Sequence, residues 1–203
     1  MRFLYQLKDK IDVVLHTAIK GGKRNDADKV EDFFTNLQMY ANLKKHTSDI
    51  KLLINFCSGA AFDRQVDICS ASEDLICERN PTDFYGLAKN IIARDIQQTN
   101  KNIINLRLFG CFSADENDNR YIKSNLLRSI NNDEFLIHQN KYMDFFWVED
   151  LLKVVDHMIY RTPCEIKDYN LCYEEKYTLL DIIKKIKNLT NSKQDVIIEN
   201  KNL

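Results

Sequence analysis

Short runs of branched apolar residues alternate along this chain with longer stretches whose apolar positions recur every three or four residues. Residues 11–15 (IDVVL), 51–57 (KLLINFC), 102–109 (NIINLRLF) and 169–172 read as buried parallel strands, with shorter strands over 135–138 and 196–199. Between them, 26–45, 81–99, 121–131, 148–160 and 178–189 read as helices. The first places Val30, Phe33, Phe34, Leu37, Tyr40, Ala41 and Leu43 at helical spacing, with acids early and lysines late, as the helix dipole favours. The second, opened by Pro81 and Thr82, carries Leu87, Ile91, Ile92 and Ile96 on one stripe. The fourth turns Leu151, Leu152, Val155 and Ile159 inward, and 63–79 reads as a polar surface loop. Strands alternating with helices of this length predict an α/β protein with a parallel sheet and right-handed crossovers. No linker or repeat interrupts the pattern. A single domain is expected, with residues from about 167 to 203 contributing to a small lobe.

Composition narrows the function classes. With 203 residues, 44% of them hydrophobic, the chain can build a sizeable core. A net charge of -1 gives no global pull toward nucleic acid or an anionic membrane, so neither is an expected partner. No apolar run approaches the roughly 18–20 residues of a membrane span, and residues 1–10 have no signal-peptide core; a cytoplasmic protein is expected. The six cysteines (Cys57, Cys69, Cys77, Cys111, Cys164, Cys172) form no C-x-x-C pair, which reads as a reduced protein with buried thiols. His16, His46, His138 and His157 lack metal-ligand spacing, so no metal site is expected.

The clearest local chemistry is Tyr85-Gly86-Leu87-Ala88-Lys89, a Y-x-x-x-K at the start of a predicted helix. Residues four apart share a helix face, about 6 Å along the axis. An ammonium so placed favours phenolate and lowers the tyrosine pKa toward working pH. The lysine also has donors to offer a ribose hydroxyl. On spacing alone, a solvated helix face or a core edge explains the pair as well. The strand over 51–57 ends in Ser58, where open α/β sheets place their ligands, so its hydroxyl is suited to hold a substrate oxygen. A turn serine bonding nearby backbone is the plain alternative.

Several segments, in order, resemble the extended short-chain dehydrogenases/reductases, the NAD-dependent epimerase/dehydratase family of the sugar-nucleotide type. Residues 12–18 (DVVLHTA) are similar to the family's D-x-V-x-H-x-A strand, whose end lies beside the cofactor. Residues 55–62 (NFCSGAAF) are similar to its serine-bearing strand end, and 84–89 (FYGLAK) to its Y-x-x-x-K. Residues 106–110 (LRLFG) resemble the strand end near the nicotinamide, and 144–150 (DFFWVED) the start of a late helix. The resemblance implies an incomplete Rossmann-like, doubly wound parallel sheet with a small C-terminal substrate lobe. It also implies NAD or NADP as cofactor and a nucleotide-sugar as substrate. In that reading Tyr85 is the acid/base, Lys89 tunes it and holds the nicotinamide ribose, and Ser58 orients the reacting oxygen, while the cofactor supplies the hydride chemistry. Ala18, Asn36 and Phe109 join Tyr85 and Lys89 on the cofactor side. Gly110, Arg120 and His138 join Ser58 on the substrate side.

The sequence departs from the family pattern in places. Met143 stands where an arginine is expected, Gly110 where a substrate-binding asparagine is common, and Ala60 where some members carry a catalytic cysteine. The five glycines (Gly21, Gly22, Gly59, Gly86, Gly110) write neither G-x-G-x-x-G nor G-x-x-G-x-x-G, the turn that holds a dinucleotide pyrophosphate at a helix N-terminus. The expectation is therefore a truncated member whose first strand is a sheet edge. Such a chain works as a homodimer or paired with a complete homologue, or it is a non-catalytic relative unable to bind cofactor alone.

Overall fold

The computed structural model describes residues 11–22, 27–65, 68–161 and 165–200. Residues 1–10 and Cys164 lie outside the described residues. The chain forms two compact units, one within Met1–Phe109 and Asp150–Leu171, the other within Gly110–Glu149 and Cys172–Leu203.

The first unit is a four-stranded parallel sheet in the order β1 (Val13–His16), β2 (Leu52–Ser58), β3 (Ile103–Leu108), β7 (Asp168–Leu171). Helix α1 (Val30–Lys44) connects β1 to β2, and α2 (Phe84–Gln98) connects β2 to β3. Leu53, Ile103, Ile92, Ile96 and Tyr40 form one buried cluster, with Val14, Leu37, Leu43 and Ile50 packed against it, so both helices lie on the face that Leu53 and Ile103 present. Strand side chains alternate faces, so residues two apart extend that same face toward the strand ends.

Its rungs change character along the strands. Val14, Leu53 and Ile103 are in register and apolar. The next rung is His16, Asn55, Asn105 and Asp168, polar across all four strands and buried. The one after is Cys57, Arg107 and Asn170. Arg107 is fully buried and donates to Asp168 Oδ2 at 2.5 Å and to Asn170 Oδ1 at 2.6 Å, and its guanidinium lies 4.7 Å from the Phe62 ring centroid. A buried charge is tolerated only when paired and hydrogen-bonded. On the helix side, the Tyr40 hydroxyl and the Lys44 ammonium both donate to Asp95, tying α1 to α2.

In the second unit, β5 (Phe135–Gln139) pairs in parallel with β8 (Val196–Asn200). Helices α3 (Tyr121–Asn131) and α5 (Leu179–Thr190) bury Leu179, Ile183 and Ile186 with Phe135 and Ile137 in a separate core. Asn125 of α3 donates to the Leu136 carbonyl and accepts the Leu136 N–H, stitching helix to strand. Thr178 and Asp181 cap α5 reciprocally, while Asn132 and Asn191 end α3 and α5 in the left-handed conformation that asparagine tolerates. A two-residue parallel pair, β4 (Cys111–Phe112) with β6 (Phe146–Trp147), belongs to the same unit and is too short to read from periodicity. Helix α4 (Val148–Tyr160) follows β6.

Three expectations need correction. The stretch 63–79 is not merely a surface loop. It contains a 3-10 turn, Glu73–Cys77, whose Ile76 is fully buried against Cys57, Ala61, Phe62 and Ala93. Helix α4 buries Leu151, Val155 and Met158 and leaves Leu152 61% exposed, a face rotated from the one predicted. In α1, Phe34 is likewise 62% exposed although its spacing matches the apolar stripe.

Removing one partner of the Arg107–Asp168 pair leaves a buried charge uncompensated. Asp168→Ala is expected to cost about 3–5 kcal/mol, read as a lower urea midpoint. A loss below about 1 kcal/mol, the range of exposed pairs, would contradict the burial argument.

Candidate active site

Helix α2 begins at an Asp83 cap, whose carboxylate accepts the Gly86 N–H at 2.7 Å and is itself paired with Arg64 at 2.7 Å. That start sets the helix phase and turns Tyr85 and Lys89 to one buried face, 8% and 4% exposed. The Lys89 ammonium lies 5.9 Å from the Tyr85 ring centroid and donates to the Phe56 carbonyl of β2 at 2.7 Å. Ser58 ends β2; its Oγ accepts the Ala60 N–H at 3.2 Å and caps the 3-10 turn Gly59–Phe62. It stands close enough to the Tyr85 phenol to favour the phenolate. The turn-serine role and the place beside the tyrosine are therefore both present.

The electrostatics differ from the sequence expectation. Burial pushes the Tyr85 phenol above its ordinary value, opposed by Ser58 and Arg64 and reinforced by Cys57 and Asp28. Burial pulls Lys89 below its ordinary value, partly offset by the Cys57 thiol. The expected effect of the ammonium is not among the causes of the Tyr85 shift, and the ammonium is held at the Phe56 carbonyl.

The segment after β1 covers the tyrosine. Gly22, at φ 72°, approaches so closely that a Cβ there would sit 3.0 Å from the Tyr85 ring. Asn36 of α1 holds this segment, accepting the Lys20 N–H at 2.9 Å and donating to the Lys20 carbonyl at 2.8 Å. Ala18 is exposed. Phe109 stacks on Phe62 at 6.2 Å and packs on Gly59. Ser58, Tyr85, Lys89, Asn36, Ala18 and Phe109 all belong to the first unit.

The other three expected residues belong to the second unit. The Gly110 carbonyl accepts the Phe146 N–H at 2.8 Å, and a Cβ on Gly110 would meet the Asp144 carbonyl at 2.8 Å. Arg120 pairs with Glu116 at 3.7 Å at the start of α3. His138 lies on the exposed side of β5, 2.8 Å from Glu199.

Whether these residues suit a dinucleotide can be judged end by end. Lys89 carries three N–H donors, and a carbonyl takes one, which fits a ribose diol. The one Gly-Gly turn does not fit a pyrophosphate. Asp28 already accepts the Gly22 N–H at 2.6 Å, and Asp32 lies against Gly21. Sequence reasoning missed the buried rung His16–Asn55–Asn105–Asp168 beneath this site. Its signal was an asparagine inside each of two largely apolar strand runs.

The parallel sheet, with helices crossing between its strands, is Rossmann-like. The chain belongs to the NAD-dependent epimerase/dehydratase family, whose sequence pattern it matches over residues 3–172. The fold is similar to GDP-mannoheptose C4 reductase from Campylobacter jejuni with NADP bound (TM-score 0.78, 16% identity, 98% of this chain and 73% of that one). It is similar to UDP-N-acetylglucosamine 4-epimerase from Bacillus cereus (0.78, 18% identity, 97% and 68%). It is also similar to UDP-glucuronic acid 4-epimerase from Bacillus cereus in complex with UDP-glucuronic acid and NAD (0.77, 19% identity, 96% and 64%). No curated protein sequence matches the chain. Among the described residues no helix is long and apolar enough to cross a membrane.

Two outcomes follow from this geometry. In an ultraviolet pH titration, the tyrosine signal lost in Tyr85→Phe is expected to ionise above the ordinary tyrosine value; one ionising below it would contradict the dominance of burial. Gly22→Ala places a side chain at positive φ against the ring and is expected to cost about 1–2 kcal/mol, read by chemical denaturation. An unchanged midpoint would show that the segment is free to move off the tyrosine.

Proposed function

We propose that this chain carries the catalytic residues of an NAD(P)-dependent enzyme acting on a nucleotide-sugar, of the epimerase, reductase or dehydratase kind. The observation that carries the reading is the burial of Tyr85 and Lys89 on one face of α2 with Ser58 beside the phenol at the end of β2. Tyr85 passes a proton to or from a sugar oxygen, and Ser58 holds that oxygen in line. Lys89 would hold the nicotinamide ribose with its remaining donors and keep its charge near the phenol. A bound nicotinamide would supply the hydride chemistry at the sugar carbon. Gly22 lies against the Tyr85 ring, which is 8% exposed. Gly110, Arg120 and His138 remain candidates for the sugar or nucleotide side, and Ala18, Asn36 and Phe109 for the cofactor side. Asn36 acts there by holding the Lys20 backbone.

A second reading is a non-catalytic relative, an interaction module pairing with a homologue. It is favoured by the Asp28-filled Gly21–Gly22 turn. Calorimetry with NADH and NADPH separates the two, since tight binding by this chain contradicts the second reading.

General acid–base catalysis contributes on the order of 100- to 10,000-fold. Tyr85→Phe is expected to lower turnover of a nucleotide-sugar by that factor while leaving the fold intact. Turnover unchanged in Tyr85→Phe would remove the proposed chemistry.

A further inference from the structure

The buried polar rung has a direction. Arg107 donates to Asp168 Oδ2, as does Gln97 at 2.9 Å, so the carboxylate acts purely as an acceptor. Asp168 Oδ1 therefore accepts a hydrogen bond from Asn105 Nδ2 at 2.7 Å, which turns Asn105 Oδ1 toward β2. That oxygen accepts Asn55 Nδ2 at 2.6 Å, which turns Asn55 Oδ1 toward β1. There it meets His16 Nδ1 at 2.9 Å, so this nitrogen must carry the proton. Reversing either amide would set oxygen against oxygen or N–H against N–H inside the core.

The other ring nitrogen, His16 Nε2, is buried without a hydrogen-bond partner. An imidazolium, or the opposite neutral tautomer, would put an orphaned N–H there, and the opposite tautomer would also turn a lone pair on Asn55 Oδ1. The neutral Nδ1–H form leaves only an unused acceptor. Burial holds His16 below its ordinary pKa; the Asn55 hydrogen bond opposes this and the Lys89 charge adds to it.

We propose that Asp168, held by Arg107, fixes the proton on His16 from three strands away, keeping it as the neutral Nδ1–H tautomer with Nε2 as a buried acceptor-only group. Asp168 is then a positioning residue, acting through Asn105 and Asn55. A buried imidazole held neutral adds no second charge to surroundings where the Lys89 charge already disfavours one.

Long-range proton–nitrogen correlation spectra of the histidine rings test this on the whole chain, with His16 assigned by its disappearance in His16→Gln. At neutral pH, His16 is expected to show a protonated Nδ1 and a bare Nε2. Asp168→Asn lets the residue donate, so both amides turn over and the proton moves to Nε2. Asn105→Leu cuts the rung midway and gives a tautomer mixture. His46, His138 and His157 stay unchanged in each variant and exclude a general loss of structure. A wild-type His16 that is charged or protonated at Nε2 overturns the proposal, and this result needs no variant to fold. A folded Asp168→Asn that keeps Nδ1–H overturns the long-range part. Neither result bears on whether Tyr85 moves a proton.

Discussion

The hydrogen bond from the Lys89 ammonium to the Phe56 carbonyl is the contact on which the site depends. It ties the first turns of α2 to the C-terminal end of β2, and so brings Tyr85 over Ser58. A lysine 4% exposed cannot remain there by packing alone, because burying an ammonium is costly unless its donors are met. The helix start must also be in phase, and the Asp83 cap fixes that phase locally. A cap, a charged hydrogen bond and a strand-end serine therefore place three side chains from two elements within reach of one another.

The same face of the sheet grades from apolar to polar along the strands. Leu53 and Ile103 pack under α1 and α2, Asn55 and Asn105 form the next rung, and Arg107 lies one rung further on. Apolar residues at the second and third rungs would stabilise the sheet at less risk, since each buried polar atom has to find a partner. The polar rungs instead bring fixed dipoles to the end of the sheet where Ser58 and Lys89 stand. Ligands of open α/β folds bind at that end.

Much of this was legible in the sequence because it is local. Strand and helix order follow from periodicity, and the Tyr85–Lys89 spacing alone puts both on one helix face. The resemblance adds Ser58 and the family, and the family is confirmed over residues 3–172. What was not legible depends on tertiary context. Ile76 sits in a polar stretch yet is fully buried, because it fills the space beside Cys57, Phe62 and Ala93. The inward face of α4 is offset because Met158 is buried where Leu152 was expected. The strand pair Cys111–Phe112 with Phe146–Trp147 is too short to show a period. The shift of the tyrosine pKa was read from charge alone, whereas burial decides its sign.

That sign has a mechanistic consequence. With the phenol raised and the ammonium lowered, burial works against both charged forms. A phenolate is then costly at this buried position, which favours the protonated form of Tyr85. Its proton leaves readily only when something else lowers the cost of the negative oxygen. Ser58 already does so in part. A bound sugar oxygen bridging Ser58 and Tyr85, together with ribose hydroxyls engaging the remaining Lys89 donors, would complete the compensation by replacing lost water with fixed dipoles. In the proposed reaction, proton transfer from Tyr85 would then be coupled to ligand binding, because the ligand would supply hydrogen bonds that burial removes.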